Sequence, residues 1–548
     1  MMRSTDQRWN IADLFEAITE QRGHATMIVE GDRSLTWTDV DRRANAVASH
    51  LLAAGLSHGD RVGLCSRNTA AHLEAYIACC KASLVPFNIN FRYGVEEMTY
   101  LLDNADARAL VFHREFGSVL ADAHRRCGSS IEPVQIADSS DAAGWPNAAD
   151  YETAASADAT APVVERSSSD LVFQYTGGTT GMPKAVMWRQ GDLIELLAGS
   201  DAPPGTDETQ TSRIIDKLDD EPRRSCSAAP FIHGTGLLSQ MANFFTGGAS
   251  VILGGNKFDP VEAWRTIERH AVNVLVIVGD PFARPLLDAL DSDPGAYDLS
   301  SLQMITSSGA MFSRPVKEGL IGHVPHLAVL DAFGSSEANG LGRSLATAED
   351  LDETAAFQAG EDIRVLADDG TFVEPGDRTP GRIAVCGLIP VGYHKDPDKT
   401  AETYPVIDGV RYSVPGDYVR LHADKSMTLL GRGSSVINTG GEKVYPEEVE
   451  ERLKEHASVF DAACIGVEDE RFGQAVCAVV QPQAGAVIDE HELHRHLRTR
   501  LAGYKVPRHF VAVDDLHRHP NGKLDRRAVA STVGDAITVR RAADSVAP

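Results

Sequence analysis

Hydrophobic and polar positions alternate between helical and strand-like periods in the first part of the chain. The stretches DVDRRANAVASHLLAAG (39–55) and AHLEAYIACCKAS (71–83) place their apolar residues at helical spacing. Between them, DRVGLCS (60–66) has the pattern of a strand, and the short apolar run VPFNI (85–89) follows the second helix. Alternating helices and strands are typical of a sheet whose strands run parallel.

The same alternation continues in the middle of the chain. Apolar runs predict buried strands at 249–253, 272–278 and 327–330, and the first two are separated by a predicted helix at 260–270. We therefore predict an α/β fold with a large N-terminal domain of largely parallel sheets flanked by helices. Because 548 residues exceed what one hydrophobic core organises, at least two domains are expected.

The pattern changes at LLGRGSSVINTGG (429–441), which has four glycines and several hydroxyl residues and suits a hinge or linker. The residues after it have the patterns of short helices and strands in alternation. This alternation predicts a small α+β domain of roughly a hundred residues. We place the boundary near Arg432, with an N-terminal domain at 1–431 and a mobile C-terminal domain at 432–548.

Two polar segments interrupt these patterns and are expected on the surface. Residues 138–169 are rich in Ala, Ser and Asp, and residues 199–225 are polar and contain proline. Long irregular insertions are functional lids or surface loops. The second segment is the better lid candidate, because it lies between two motifs described below.

Composition narrows the function. With 43% hydrophobic and 24% charged residues the chain has the make-up of an ordinary globular protein, and its net charge of −26 argues against nucleic-acid binding. The eight cysteines form no C-x-x-C pair, which indicates a reducing compartment. There is no apolar leader and no run of about 18 apolar residues, so we expect a cytoplasmic protein without integral membrane association.

The most informative string is LVFQYTGGTTGMPKAV (171–186), an apolar run followed by a loop rich in glycine and threonine. Glycines let backbone N–H groups approach an anion, while threonine hydroxyls and a lysine add donors. A P-loop is excluded, because Met182 and Pro183 separate Gly181 from Lys184. The string resembles the signature loop of the AMP-forming adenylating enzymes, the superfamily of acyl-CoA synthetases, peptide-synthetase adenylation domains and luciferases.

That resemblance implies that the loop grips the phosphates of ATP. The residues it assigns to this contact are Thr176, Gly177, Gly178, Thr179, Thr180, Gly181 and Lys184. It also gives Thr176 a part in catalysis and makes its hydroxyl a candidate ligand of Mg²⁺.

Further motifs of the same superfamily follow in family order. PFIHGTG (230–236) is similar to the histidine motif, which implies that Phe231 and His233 line the acyl site and that His233 gates the approach of the thiol. SSGA (307–310) and DAFGSSE (331–337) resemble the adenine-binding and metal-binding segments, with Phe333 where tyrosine is usual and Glu337 as Mg²⁺ ligand. The nucleotide contacts implied are Ser308, Gly309, Ala310, Asp331, Ala332, Phe333, Gly334, Ser335 and Ser336, and Gly334 also borders the acyl substrate.

Two motifs imply contacts with the ribose and the reacting phosphate. VPGD (414–417) resembles the ribose motif, with Pro415 in place of the usual threonine and Asp417 as acceptor of both ribose hydroxyls. Arg432 would add a second contact. PNGKLDRR (520–527) resembles the C-terminal motif, whose lysine here is Lys523. Its ammonium would neutralise charge between the attacking carboxylate and the α-phosphate.

The second substrate implied is coenzyme A. GGEKVYP (440–446) resembles the loop that lines the pantetheine tunnel, with Gly441 beside the thiol arm and Lys443 near a CoA phosphate. Ser434 occupies the hinge position, where aspartate or lysine is common, and a small residue there still allows a dihedral change.

Taken together, the resemblance implies an acid–thiol ligase that forms an acyl-adenylate from ATP, Mg²⁺ and a small carboxylic acid, and then acyl-CoA. The strings around 175–190 and 432–450 are similar to a bacterial branch of fatty-acyl and steroid side-chain CoA ligases, which favours a long or bulky apolar acid. An aromatic or shorter acid, loading of a carrier protein, a luciferase-like oxygenase and a nucleotide sensor remain alternatives, and a homodimer stays open.

Two other enzyme classes are excluded because their motifs are incomplete or missing. HELHRH (491–496) has Arg495 where a zinc-binding H-E-x-x-H motif needs histidine, and no G-x-S-x-G serine-hydrolase elbow occurs.

Overall fold

The structure is a computed structural model. It describes residues 10–128, 130–176, 182–198, 214–215, 218, 221–350, 356–377, 379–439, 442–469, 473–516, 518–519, 524–526 and 528–534.

Helices flank the sheets of the protein. In chain order they are α1 (Ile11–Arg22), α2 (Trp37–Ala53), α3 (Ala70–Lys81), α4 (Val95–Asn104), α5 (Gly117–Cys127), α6 (Tyr151–Ala155), α7 (Gln190–Ala198), α8 (Gly234–Phe245), α9 (Pro260–His270), α10 (Asp280–Ser292), α11 (Arg314–His323), α12 (Pro397–Thr403), α13 (Pro446–Lys454) and α14 (Glu490–Arg498).

The strands occur throughout the described chain. They are β1 (Thr26–Glu30), β2 (Arg33–Thr36), β3 (Arg61–Cys65), β4 (Val85–Asn88), β5 (Ala107–His113), β6 (Glu132–Ile136), β7 (Ala149–Asp150), β8 (Leu171–Thr176), β9 (Lys184–Arg189), β10 (Arg224–Ser227), β11 (Ala249–Ile252), β12 (Val274–Ile277), β13 (Met304–Ser308), β14 (Ala328–Ser335), β15 (Ala338–Ala346), β16 (Ala356–Gln358), β17 (Ile363–Leu366), β18 (Gly381–Val385), β19 (Gly392–Tyr393), β20 (Val406–Ile407), β21 (Val410–Arg411), β22 (Asp417–Leu421), β23 (Ser426–Arg432), β24 (Ile437–Thr439), β25 (Glu442–Val444), β26 (Val459–Asp469), β27 (Gly473–Pro482) and β28 (His509–Ala512).

Local sequence explains the helix boundaries that it predicted. Helix α9 begins where Asp259 accepts hydrogen bonds from the backbone N–H groups of Val261 and Glu262, with Pro260 in the first turn. Helix α2 begins with a capping box between Thr36 and Asp39. Both helices therefore start where side chains satisfy the free backbone donors of the first turn.

Two large sheets form most of the fold. In the described residues the larger has the order β17-β18-β22-β23-β16-β15-β14-β13-β12-β10-β11-β1-β2, and the second has the order β19-β9-β8-β4-β3-β5-β6-β7. Strands β10 to β14 of the first sheet pair in parallel with one another, and so do strands β3 to β8 of the second. Strands β15 and β9 then join β14 and β8 in antiparallel orientation. The predicted α/β class is confirmed.

Parallel pairing brings separate motifs to one sheet edge. Strands β13 and β14 lie side by side with Ser307 opposite Asp331 and Ser308 opposite Ala332. Their carboxyl ends therefore deliver two predicted binding segments to the same place, which is where open α/β sheets bind ligands.

The C-terminal part has its own sheet and its own apolar core. Strands β24 to β28 pair in the order β25-β24-β27-β26, with β28 added beside β27. Val449 and Leu453 of α13 pack under this sheet with Cys464 and Leu493. The division of the chain at 431/432 stays a prediction.

One surface expectation is wrong in part. Residues 138–169 include β7 and α6, and Tyr151 of α6 is fully buried, with its hydroxyl donating to Glu74 Oε2 at 2.9 Å. Sequence did not indicate this because the partner of Tyr151 lies in α3. In the second segment, residues 199–213 lie outside the described part, so the lid prediction is not tested. The last two residues of this segment, Arg224 and Ser225, belong to strand β10.

Among the helices in the described ranges, none is both long and apolar enough to cross a bilayer.

A buried ion pair should hold α2 on α3. Arg43 and Glu74 are 4% and 0% exposed, and Arg43 Nε and Nη2 donate to the two Glu74 oxygens at 2.7 and 3.0 Å. We expect Glu74→Ala to lower the free energy of unfolding by about 3 kcal/mol in urea denaturation, because it leaves a buried guanidinium poorly paired.

Glu152→Ala is the matched control. Glu152 also contacts Arg43 but is 51% exposed, so its loss should cost about 1 kcal/mol or less. Equal losses in the two variants would contradict the assignment of the pair to the core.

Candidate active site

Three side chains fix the turn that carries Glu337. The indole N–H of Trp188 donates to the Ser336 carbonyl at 2.9 Å, and the Ser413 hydroxyl donates to the Glu337 carbonyl at 2.6 Å. The Tyr393 hydroxyl donates to Glu337 Oε1 at 2.9 Å. Oε2 makes no hydrogen bond to a described residue, so this oxygen is available to a ligand.

Tyr393 keeps its proton in this contact. Burial first, and then the negative charge of Glu337, raises the pKa of the Tyr393 hydroxyl above its ordinary value. The hydroxyl is therefore a donor at neutral pH, and it orients the carboxylate.

Asp417 and Arg432 form a neighbouring ion pair. They face each other across the antiparallel strands β22 and β23, and Arg432 Nε donates to Asp417 Oδ1 at 3.2 Å. Asp417 is the largest cause of a raised pKa in Arg432; burial opposes the rise and Glu337 adds to it. The structure thus brings together Glu337, Asp417 and Arg432, three residues that the sequence assigned to one site.

Thr176 and Lys184 close the hairpin of β8 and β9, where they form its last paired positions. The ammonium of Lys184 pairs with the carboxylate of Asp396, whose other oxygen caps α12 by accepting from the Lys399 N–H at 3.0 Å. The hydrogen bond from Lys184 is the main cause of a lowered pKa in Asp396. In this structure Lys184 is therefore engaged by a residue that the sequence did not indicate.

The segments after β13 and β14 lie next to the histidine motif. Gly309 has a φ of +93°, and a Cβ at this position would lie 3.7 Å from Thr235 Oγ1 and from Val278 Cγ1. Ser308 and Ala310 flank it. This left-handed backbone favours glycine and lets the loop turn beside α8.

Two predicted nucleotide contacts on β14 have partners inside the protein. The Asp331 side chain is 6% exposed and lies 3.4 Å from the Lys317 ammonium, and burial raises its pKa to about 6. Phe333 is 9% exposed and packs on Phe357 with ring centroids 5.3 Å apart. Contacts of these two side chains with adenine or ribose stay predictions, as do those of the intervening Ala332 and the following Gly334 and Ser335.

Asn88 joins the signature strand to the histidine motif. Its side-chain amide donates to the carbonyls of Tyr175 and Ile232 at 3.0 and 2.7 Å, and its oxygen accepts from the Tyr175 N–H at 2.7 Å. His233 follows, half-buried, at the start of α8. Phe231 is 2% exposed, so its ring forms part of the core next to the expected acyl site.

Several predicted site residues lie outside the described part of the chain. They are Gly177, Gly178, Thr179, Thr180, Gly181, Gly441 and Lys523, together with the side chains of Ser434 and Lys443.

Sequence reasoning missed the residues that hold the site in shape. They are Asn88, Trp188, Tyr393, Asp396 and Ser413. Asn88 alone carried a local signal, since it is a polar residue at the carboxyl end of a predicted strand. The others contact residues far away in the chain, and no short pattern marks them.

Comparison with known proteins decides the family. The family model described as "AMP-binding enzyme" matches residues 15–389. The chain belongs to the AMP-binding enzymes. The "AMP-binding enzyme C-terminal domain" matches residues 448–523. The predicted resemblance is confirmed.

Relatives within the family are CoA ligases. A protein of Mycobacterium tuberculosis, the "medium/long-chain-fatty-acid–CoA/3-oxocholest-4-en-26-oate–CoA ligase", is 40% identical over 536 residues, which are 94% of this chain and 95% of that one. A "3-oxocholest-4-en-26-oate–CoA ligase" of Rhodococcus rhodochrous is 38% identical and covers 96% of both chains. Activation of an acid for transfer to CoA is thereby favoured over the alternatives.

Solved structures agree with the fold. ATP-bound MatB from Rhodopseudomonas palustris superimposes with a TM-score of 0.79 at 26% identity, over 96% of this chain and 99% of that one.

The Tyr393–Glu337 hydrogen bond predicts a defect in nucleotide binding. If Glu337 acts on the bound nucleotide, Tyr393→Phe should weaken ATP affinity about tenfold in calorimetric titration with Mg²⁺, since a hydrogen bond to a charged group contributes about 1.5–3 kcal/mol.

Tyr404→Phe is the control for this measurement. The Tyr404 ring lies 5.9 Å from that of Tyr393, and its buried hydroxyl has no hydrogen-bond partner in the described ranges. Loss of that hydroxyl should leave ATP affinity unchanged; equal weakening by both variants would count against the role of Tyr393.

Proposed function

We propose that the protein couples a carboxylic acid to coenzyme A at the cost of ATP, releasing AMP and pyrophosphate. The observation that carries this proposal is the convergence of Glu337 with the Asp417–Arg432 pair, which comes much later in the chain, beside the signature hairpin.

The first step forms an acyl-adenylate. A carboxylate oxygen of the acid bonds to the α-phosphorus of ATP while the bond from that phosphorus to the bridging oxygen breaks, and pyrophosphate leaves. The loop from Thr176 to Lys184 holds the leaving phosphates. For this contact the Lys184 ammonium leaves the carboxylate of Asp396 and pairs with the phosphates. Lys523 neutralises the charge on the reacting oxygens.

The remaining contacts hold the nucleoside. Asp417 accepts from the ribose hydroxyls, and Arg432 orients that carboxylate through the bond they already make. Adenine lies at the carboxyl edge of β13 and β14, against Ser308–Ala310 and the backbone of residues 331–336. The parallel pairing of these strands supports this placement.

The donor set fits Mg²⁺. Glu337 offers a carboxylate oxygen with no partner in the described residues, Thr176 offers a hydroxyl, and Mg²⁺ commonly takes one or two such oxygens together with phosphate oxygens. When bound, the ion would offset negative charge on the phosphates. Tyr393 orients the Glu337 carboxylate for this contact.

The second step transfers the acyl group. The thiol of CoA loses its proton to solvent, and its sulfur bonds to the acyl carbon. The bond from that carbon to the bridging oxygen breaks, and AMP leaves with this oxygen. We propose that the domain at 432–548 turns about residues 432–434 between the steps, which withdraws Lys523 and brings Gly441 and Lys443 to CoA. His233 gates the path of the thiol.

The substrate class follows the relatives. We propose a medium- or long-chain fatty acid or a steroid side-chain acid, held between Phe231, His233 and Gly334. The eight cysteines are thiols and not disulfides, which supports the proposed cytoplasmic location. Light scattering will test whether the protein is a homodimer.

A panel of acids tests this function. Purified protein with ATP, Mg²⁺ and CoA should form AMP and acyl-CoA, measured by mass spectrometry, with decanoate, palmitate or 3-oxocholest-4-en-26-oate and much less with benzoate. Pyrophosphate release with retention of the acyl-adenylate, and no acyl-CoA when CoA is added, would favour carrier-protein loading. Nucleotide binding without turnover of any acid would overturn the proposal.

Substitution of Lys523 should distinguish the two steps experimentally. Lys523→Ala should lower single-turnover pyrophosphate release about a thousandfold, since removal of one preorganised charge-stabilising group costs about 10²–10³ in rate. Acyl transfer from supplied acyl-adenylate should largely survive.

Lys505→Ala is the control for charge loss in the C-terminal domain. Lys505 pairs with Glu448 inside that domain, so its removal should affect neither step selectively. If Lys523→Ala slowed both half-reactions equally, the two-orientation scheme would be wrong.

A further inference from the structure

The carboxyl group of Glu447 touches the main chain on the far side of the proposed hinge. Glu447 lies in the first turn of α13, and Gly431 lies on β23 just before Arg432. Gly431 has a φ of +114°, and a Cβ there would collide with Glu447 Oε2. Only glycine allows this approach.

The other oxygen of Glu447 contacts the segment of the catalytic lysine. Arg526 Nη2 donates to Glu447 Oε1 at 3.2 Å, and Arg526 stands three positions after Lys523 in the chain. One side chain therefore contacts both the strand that carries Arg432 and the segment that follows Lys523.

A second contact marks the same arrangement of the two parts. The Arg284 guanidinium of α10 lies 5.2 Å from the ring centroid of Phe460 on β26. Gly431 and Arg284 precede the proposed hinge, while Glu447 and Phe460 follow it. A rotation about 432–434 would break both contacts.

We propose that Glu447 is a positioning residue that fastens the C-terminal domain to the nucleotide site in this orientation, and so favours adenylate formation over acyl transfer. The inference rests on the proposed function, because it assigns Glu447 to one of the two half-reactions. Glu447 itself touches no substrate.

The strength of this contact depends on the protonation of the Glu447 carboxyl group. Burial first, and then Glu450 and Asp417, raises the pKa of Glu447 from 4.5 to about 8, while Arg526 opposes the rise. Arg432, next to Gly431, is the remaining charged group on the adjoining strand. A carboxyl released from this site regains its ordinary pKa, so the docked orientation holds a proton that the released one lacks. Docking is strongest at low pH and weakens as pH rises towards 8.

Three variants test the inference. Glu447→Ala removes the contact, and Glu447→Gln keeps its shape but cannot ionise. Glu448→Gln is the matched control, since it removes a neighbouring charge whose partner, Lys505, lies within the same domain at 2.6 Å.

The first readout is the rate of each half-reaction at pH 6, where the docked carboxyl of Glu447 is protonated. We expect Glu447→Ala to slow single-turnover pyrophosphate release about tenfold, because it removes the contact with Gly431 and no longer holds Arg526 beside the strand that carries Arg432, with less than a twofold change in acyl transfer from supplied acyl-adenylate. Glu447→Gln should restore pyrophosphate release. Equal slowing of both half-reactions by Glu447→Ala, or no slowing of either, would overturn the inference.

The second readout is the pH profile. In wild type and Glu448→Gln, the ratio of pyrophosphate release to acyl transfer should fall between pH 6 and pH 9, and in Glu447→Gln it should stay level. The same fall in all three proteins would refute the role of the Glu447 proton.

A third readout does not need activity. Glu447→Ala should speed amide hydrogen exchange in 426–432 and 446–454 several-fold, while Glu448→Gln should not. A wild type that turns over no acid would refute the proposed function, but exchange would still decide the contact: unchanged protection in Glu447→Ala refutes it.

Discussion

The site depends on one guanidinium placed beside two carboxylates. Arg432 pairs with Asp417 across two strands and lies in the field of Glu337. A chain with a net charge of −26 must bind anionic substrates through such local arrangements, because screening confines fields to about 8 Å at physiological salt. Without Arg432 the two acids would repel each other and the nucleotide alike. The strand register that sets Arg432 opposite Asp417 is thus the constraint on which the other contacts rest.

Local helices and strands were predictable, and the contacts that orient the motif residues were not. Helix α9 occupies the residues that its apolar spacing predicts, because this signal is local, and the Asp259 side chain caps its first turn. Tyr393 reaches Glu337 only because β19 pairs with β9, a long-range event that leaves no short pattern in the sequence. The same reason explains the buried Tyr151, whose partner is in another helix. The starts of strands could be located from sequence, but the end of β14, which lies at Ser335 and not at the predicted 330, and the side-chain partners across sheets could not.

The glycine-rich segment at 429–441 combines two roles that sequence could not separate. Its first part is the end of strand β23, in register with β22, and β24 begins at Ile437. Backbone freedom is therefore restricted to the few residues between the two strands. Gly431 is rigidly placed although it is a glycine, because its missing Cβ makes room for Glu447. The hinge proposed at 432–434 thus lies directly beside a contact that opposes rotation about it. The strength of this contact therefore affects the relative rates of the two half-reactions.

In the proposed first step, a carboxylate oxygen attacks the α-phosphorus of ATP. Palmitate labelled with ¹⁸O in both carboxylate oxygens, incubated with enzyme, ATP, Mg²⁺ and CoA, tests it directly. Mass spectrometry should find one ¹⁸O in each AMP formed, because the bridging oxygen of the acyl-adenylate leaves with AMP when the thiol attacks. Unlabelled AMP, or label found in inorganic phosphate together with ADP, would contradict the account.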